Sequence, residues 1–507
     1  MPHKAPFEIY PGYFNLNVSG VAGFFGGEEA ISAMQTIHLY KHRKWLGWYN
    51  SPGSWNVGKK FGLLANSRLW DGLFPGPNED PAKFFELDGK QGPKYVASRS
   101  GSILERTGHL AYLIMQTSKE ELGVQVQGRV TKPNKVTIIK TQPIFKESTE
   151  KEKSPVRAIP PHSGHHTDVA ILPIAVSFTT CALCGWTYDW FCCSMILLGI
   201  VSNGMSSLVI GSAHLKLQGV KSAPTAPPGD GMLMDGDDIV LLTGKEENIA
   251  TITRGKFMLD YEPWVRKRSR KEKRKRSVPG DGMGSTNSNR TSDAEAGLQD
   301  SSLDRGLKEG TVPVRDEYAA IGLCSLLLVI QLLGQLLLIP QGTFFGQIMF
   351  LASFAASWAY NLYLSSIDKE YIQERLLLNA LNLDDQHMRT YILGTRTTAA
   401  VFACLMLQPP DISADKWEEQ GFKPESIIRN FIPNDTPVWV IWRKKVLDVM
   451  GARIRSQEPC HSWLQMSNED IEGFKKNDKD LLGQLLEDAR IAYDLATNEQ
   501  WLVGEEK

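Results

Sequence analysis

Two runs of the chain are almost free of charge, and they limit its fold more than any other feature. Tyr318 to Ile367 is 50 residues without one Asp, Glu, Lys or Arg. Val169 to Ala213 is 45 residues whose single charge is Asp189. A bilayer-crossing helix takes about 20 apolar residues, so each run has room for two. The spacing predicts spans over Val169–Tyr188, Trp190–Ala213, Tyr318–Ile339 and roughly Phe344–Leu364. The connection inside each pair is very short, so the fold expected is a multi-pass α-helical membrane protein with two transmembrane hairpins. Trp186, Tyr188, Trp190 and Phe191 surround Asp189 and mark the first tip, because such rings favour the headgroup layer. Pro340-Gln341-Gly342 marks the second. Trp358, Tyr360 and Tyr363 form a similar belt where the fourth span leaves the bilayer. A soluble, secreted or wholly disordered chain has no use for such runs.

Basic residues set the expected orientation. Lys146, Lys151, Lys153 and Arg157 precede the first span, and Lys216 and Lys221 follow the second. Arg305, Lys308 and Arg315 precede the third, and Lys369 and Arg375 follow the fourth. Neither tip carries Lys or Arg, so eleven basic residues stand against none. The positive-inside rule then puts both tips outside and both termini in the cytosol, in the plasma membrane or an endomembrane. MPHKAPFEIYPGYF has neither the basic start nor the apolar core of a signal peptide. Over 507 residues, 56 basic and 57 acidic side chains balance. No global field attracts nucleic acid, and the expected partner is the lipid bilayer.

Between the runs the sequence reads as separate cytosolic parts. Residues 1–160 read as an α+β domain, with a helix from Glu28 to about Lys44. Trp45, Trp48, Tyr49, Trp55 and Trp70 read as an aromatic core. GVQVQGRV-TKPN-KVTIIKT reads as a β-hairpin turning at Pro133-Asn134. Residues 214–264 read as a small β-rich unit, from DDIVLLTG to RGKFMLDY. Residues 265–316 read as a disordered polybasic loop. Residues 368–507 read as helical, beginning with Ile367–Leu383 and with a further start at Thr436-Pro437. Tyr391–Gln408 is apolar but holds Arg396, costly in lipid. It reads as a helix at the interface or packed in the C-terminal domain.

Candidate site residues fall into three groups. Inside the spans, Gln331 and Gln335 share a face, as do Ser353, Ser357 and Asn361, and as do Asn203, Ser207 and Gly211. Small and amide side chains at this spacing cement helix contacts; a substrate path is the alternative. In the loop, Arg266, Lys267, Arg268, Arg270, Lys271, Lys273, Arg274, Lys275 and Arg276 make nine basic residues in eleven. Such a run suits anionic lipid, although a plain solvated linker would look the same. Ser269 and Ser277 each have Arg three positions before them and are candidate phosphorylation sites. Histidine gives the third group. His38-x3-His42 and His162-x2-His165-His166 look like the first two boxes of membrane di-iron desaturases and hydroxylases. The third box is absent and no span precedes the first, so a membrane-bound di-iron-type enzyme stands last among the alternatives. Cys181-x2-Cys184 with Cys192 and Cys193 fits no zinc module, and no disulfide framework is suggested. No catalytic, metal or cofactor-binding residue is assigned. The function expected is a non-catalytic scaffold, anchor or regulator at the membrane, ahead of a transporter or channel component.

The phrases TGKEENIATITRGKF, YILGTRTTAAVF and FIPNDTPVW, with this order of parts, carry a family likeness. The chain resembles a group of fungal multi-pass membrane proteins over about half its length. The resemblance implies membrane location, no known activity and no catalytic residues.

Overall fold

The computed structural model describes residues 25–66, 70–75, 80–145, 155–223, 225–266, 317–384, 386–409, 416–417, 419–453, 464–467 and 473–498. The first part of the chain forms helices α1 (Gly27–Gln35), α2 (Ser54–Gly62), α3 (Pro81–Phe84) and α4 (His109–Glu120). The apolar runs form α5 (Ile171–Trp186) and α6 (Trp190–Ile210), then, after α7 (Glu246–Arg254), α8 (Ala319–Leu338) and α9 (Phe344–Ser365). The remainder holds α10 (Lys369–Leu381), α11 (Arg396–Met406), α12 (Pro424–Phe431), α13 (Pro437–Arg453) and α14 (Lys476–Asn498).

Among the described residues three helical segments are long and apolar enough to cross a membrane: Asp168–Trp186, Trp190–Ile210 and Ala319–Gln341. Helix α9 is 22 residues long and uncharged, but Gln347, Asn361 and its Ser, Trp and Tyr residues make it less apolar. It packs on α5, while α8 packs on α6 and α5 on α6, so the four close into a bundle. Two of the four, α6 and α9, start at side-chain caps. Asp189 accepts from the Cys192 N–H at the start of α6, and Thr343 accepts from the Gly346 N–H at the start of α9. Each satisfies a donor that the first turn leaves open.

Beside the bundle lies a seven-stranded sheet in the order β2-β1-β7-β8-β4-β10-β3. Its strands are β1 (Lys94–Ala97), β2 (Ile103–Leu104), β3 (Val124–Gln125), β4 (Asn134–Lys140), β7 (Gly231–Asp235), β8 (Asp238–Thr243) and β10 (Met388–Leu393). A second sheet joins β5 (Val156–Ala158), β6 (His214–Gln218) and β9 (Lys256–Asp260) in the order β5-β6-β9. The period-two alternation of strands sends successive side chains to opposite faces. Val136, Ile138, Ile239 and Leu241 face a core closed by α11 to α14. Ile139, Val240 and Leu242 face a core with α4, α7 and α10. That second core runs on without a break into Val209 and Ile210 of α6 and Ile321 and Leu328 of α8. One apolar cluster therefore joins sheet to bundle.

Several local expectations need correction. Strands β3 and β4 do not form a hairpin. Both flank β10, which pairs parallel with β3 and antiparallel with β4. The C-terminal part is thus not purely helical, and it supplies a strand, next to the edge strand β3, to a sheet that begins at Lys94. Residues 214–264 are not a unit of their own, since β7 and β8 lie in the larger sheet and β6 and β9 in the smaller. Strands from all three polar stretches meet in the larger sheet. Segment 391–408 divides into the end of β10 and α11, whose residues Thr397 to Met406 are all buried. Arg396 stands at the helix start and its Nε donates to the Phe431 carbonyl (2.9 Å). The helix expected to reach Lys44 ends at Gln35, where Thr36 Oγ1 turns back to the Ala33 carbonyl (2.7 Å) and a 3₁₀ turn follows. Helix α10, expected from Ile367, starts after Asp368, which caps it by accepting from the Glu370 and Tyr371 N–H groups.

Candidate functional site

Residues 46–53 read Leu-Gly-Trp-Tyr-Asn-Ser-Pro-Gly. Gly47, Pro52 and Gly53 break regular structure, and Gly53 takes φ +71° just before α2. This irregular segment enters the four-helix bundle. Backbone without regular partners is tolerated inside an apolar bundle only where protein groups satisfy it, and three of the four helices bond to the segment. The Asn50 N–H donates to Ser177 Oγ of α5 (3.0 Å). Asn50 Nδ2 donates to Ser353 Oγ of α9 (2.9 Å). Asn203 Nδ2 of α6 donates to the Gly47 carbonyl (2.7 Å). Asn361 of α9 accepts from the Tyr49 hydroxyl (3.0 Å) and donates to Ser51 Oγ (3.1 Å). Gln331 of α8 comes up beside Asn50 at Gly199.

Asn50 reaches mid-height. Gly199 beside it is 11 residues from the end of α6, about 16 Å at 1.5 Å per residue. Glycines make the room. A Cβ at Gly199 would overlap Asn50, and one at Gly204 would overlap the Trp48 ring. A Cβ at Gly47 would overlap Ser207. At the mouth of the loop Arg43 is 2% exposed. Its Nη2 donates to the Tyr49 hydroxyl (3.3 Å), and its guanidinium lies 5.5 Å from the Tyr360 ring centre. Among the described residues no carboxylate pairs with it, so two phenol rings carry the burial of this charge.

The packing residues expected from the sequence are all buried in this bundle. Asn203, Ser353 and Asn361 hold the loop. Gln331 and Gln335 are fully buried, and among the described residues none of their four amide atoms finds a partner; the Ser357 hydroxyl also lacks one. At the opposite end Asp189, 3% exposed, binds both turns. Besides Cys192, its oxygens accept from the Thr343 N–H and hydroxyl, both at 2.7 Å. The sequence gives the stripes on the helices but not the loop they hold. Asn50-Ser51 between a Trp-Tyr pair and Pro-Gly was the available signal. The aromatic reading was mixed: Tyr49 and Trp70 are buried, but Trp45 is exposed.

Arg266 separates from the rest of the basic run. It pairs with Asp260 (3.3 Å), which also binds Lys216 (2.6 Å). Although burial opposes it, Lys216 and Arg266 hold the Asp260 carboxyl below its usual range. Lys267 to Arg276, with Ser269 and Ser277, lie outside the described residues, as does Asn289-Arg290-Thr291, which matches the glycosylation sequon. A bridge between Tyr40 and His162 brings the two histidine segments side by side. His38 nevertheless turns into the core against Phe85, 4.7 Å between ring centres, and burial pushes its imidazole down to about 3. His42 is exposed, and the side chains of His165 and His166 lie outside the described residues. Among the described residues no group of three or more His, Cys, Asp or Glu could hold a metal ion.

Two surface hollows complete the picture. One of about 890 Å³ lies among Trp417, Phe422, Lys423, Arg429 and Leu447. Another of about 450 Å³ is lined by Glu120, Glu121, Glu374, Arg375 and Asp384. No family model, curated protein or solved structure matches the chain.

Proposed function

We propose that the protein is a non-catalytic membrane scaffold, a four-span anchor that holds a rigid sheet platform against the cytosolic face of the bilayer. The use made of the polar side chains inside the bundle carries this reading. Ser177, Asn203, Ser353 and Asn361 bind residues 47–51 of the same chain, and so are committed to holding the protein together. The same segment leads into α2, which packs on α8, while α1 packs on α9. Only three residues separate the end of α6 from strand β6. A platform tied to its anchor at so many points suits presentation of a surface at a fixed height.

In this reading α9 crosses the bilayer with the other three helices, and both turns face the non-cytosolic side. Eleven basic residues against none set that direction. The basic run then faces the inner leaflet, where anionic lipid lies. The chain reconstituted in proteoliposomes should pass no ion or solute beyond protein-free vesicles. A second reading, a transporter or channel component, draws on the unpartnered amides of Gln331 and Gln335. Flux that Asn50→Leu abolishes would replace the scaffold with that reading. Asn289 should stay unglycosylated in the cell; a glycan there would overturn the orientation.

A further inference from the structure

Four cysteines crowd the turn between α5 and α6. Cys184 and Cys192 are fully buried, while Cys181 and Cys193 are partly exposed. The sulfurs of Cys181 and Cys193 are 3.8 Å apart, one on each helix. A disulfide places them about 2.05 Å apart, so a closure of under 2 Å would join them. The neighbouring turn is fixed by Asp189, which binds Cys192 on one side and Thr343 on the other. The two thiols therefore face each other across a held register and are not brought together by chance motion.

We propose that Cys181 and Cys193 form a disulfide, made on the non-cytosolic side by exchange with an oxidised dithiol carrier. The compartment rests on the orientation given above, since disulfides persist outside the cytosol. One cysteine, as its thiolate, attacks the carrier disulfide. The carrier bond breaks, one carrier thiol leaves and a mixed disulfide remains. The second cysteine, also as thiolate, attacks the protein sulfur of that mixed disulfide and expels the other carrier thiol. The cysteine pair loses two electrons and the carrier gains them; the two cysteine protons end on the carrier thiols. Cys184 and Cys192 take no part, because exchange needs access to the sulfur and both are enclosed.

The test uses the full chain, purified in detergent and equilibrated with oxidised and reduced glutathione. It is then unfolded, alkylated and mapped by mass spectrometry. Oxidising conditions should remove two alkylation sites, lower the mass by about 2 Da and yield one linked peptide pair containing Cys181 and Cys193. Cys181→Ser and Cys193→Ser should each abolish the link and leave Cys184 and Cys192 free. Cys181 and Cys193 that remain alkylated under oxidising glutathione, or a link through Cys184 or Cys192, would overturn the pairing. The chain is also taken from its own membrane with thiols blocked at lysis. A link there supports pairing and orientation together. Free thiols there, with a link in glutathione, would overturn the non-cytosolic placement of the turn and leave the geometry standing.

Discussion

Asp189 could be read in the sequence as a landmark, the lone charge at a turn between apolar helices. Its burial and its reach to the second turn could not, because Thr343 is 154 positions away. Asp189→Ala leaves the Cys192 N–H without its acceptor and cuts the tie to the exposed Thr343. At roughly 1–3 kcal/mol for a buried group left unpaired, the loss should be seen as a lower Tm in detergent. The polar stripes divide in the same way. Asn203→Leu removes a bond to the Gly47 carbonyl and should cost about 1–2 kcal/mol. Gln331→Leu with Gln335→Leu removes amides that have no partner in the bundle. Replacing an unpaired polar group by an apolar one of similar size is neutral or stabilising, so this double variant should hold or raise Tm. A clear fall would mean that the two amides do bind something within the bundle. From the sequence alone the polar stripe residues are alike, since spacing on a helix gives the face and not what covers it.

Among the elements, those governed by local pattern were readable and those governed by distant partners were not. Helix α14 shows a single apolar face, Leu482, Leu485, Leu486, Ala489 and Ala492, all buried. Helix α13 starts at the expected Pro437. Strand β10 was hidden because its neighbours β3 and β4 come from the far end of the chain, and two strands separated by a turn look like a hairpin until a third lies between them. Helix α10 adds a pH response. Burial first, then Glu120, Asp368 and Glu370, push Glu374 up to about 7, from an ordinary 4.5. Between those values the folded chain keeps a proton that the unfolded chain has released. Stability contributed by this group is therefore full below about 4.5, falls as pH rises toward 7 and is lost above it. Glu374→Gln, neutral throughout, should flatten that slope in Tm against pH and raise Tm above pH 7. A slope unchanged by the variant would place the titration on another group.

At the scale of the whole molecule, the apolar runs were legible because hydropathy is a local property. The seating of residues 46–53 inside them was not, because it pairs the start of the chain with helices up to 312 positions away. The long basic segment has a defined point of departure. Tyr261 and Tyr318 meet with ring centres 4.9 Å apart, so the chain leaves after Arg266 and returns at Glu317 beside the start of α8. Trp264 there is 63% exposed, a ring suited to the headgroup layer. With Arg266 bound to Asp260, eight of the nine basic residues remain for lipid. Each contributes up to about 1 kcal/mol near an anionic surface, screened by salt. Attachment at both ends to the same membrane keeps the local concentration high, so weak attraction is enough. A phosphate adds about −1.5 to −2 charge, and two, at Ser269 and Ser277, offset up to four of the eight. A peptide of residues 262–280 should bind vesicles containing anionic lipid and not neutral ones. Phosphorylation of both serines should weaken that binding, and so should raised salt. In the full chain, Ser269→Glu with Ser277→Glu should act in the same direction by a smaller amount, because each carboxylate carries less charge than a phosphate. Equal binding to neutral vesicles, or none to anionic ones at low salt, would reduce the segment to a connection between β9 and α8.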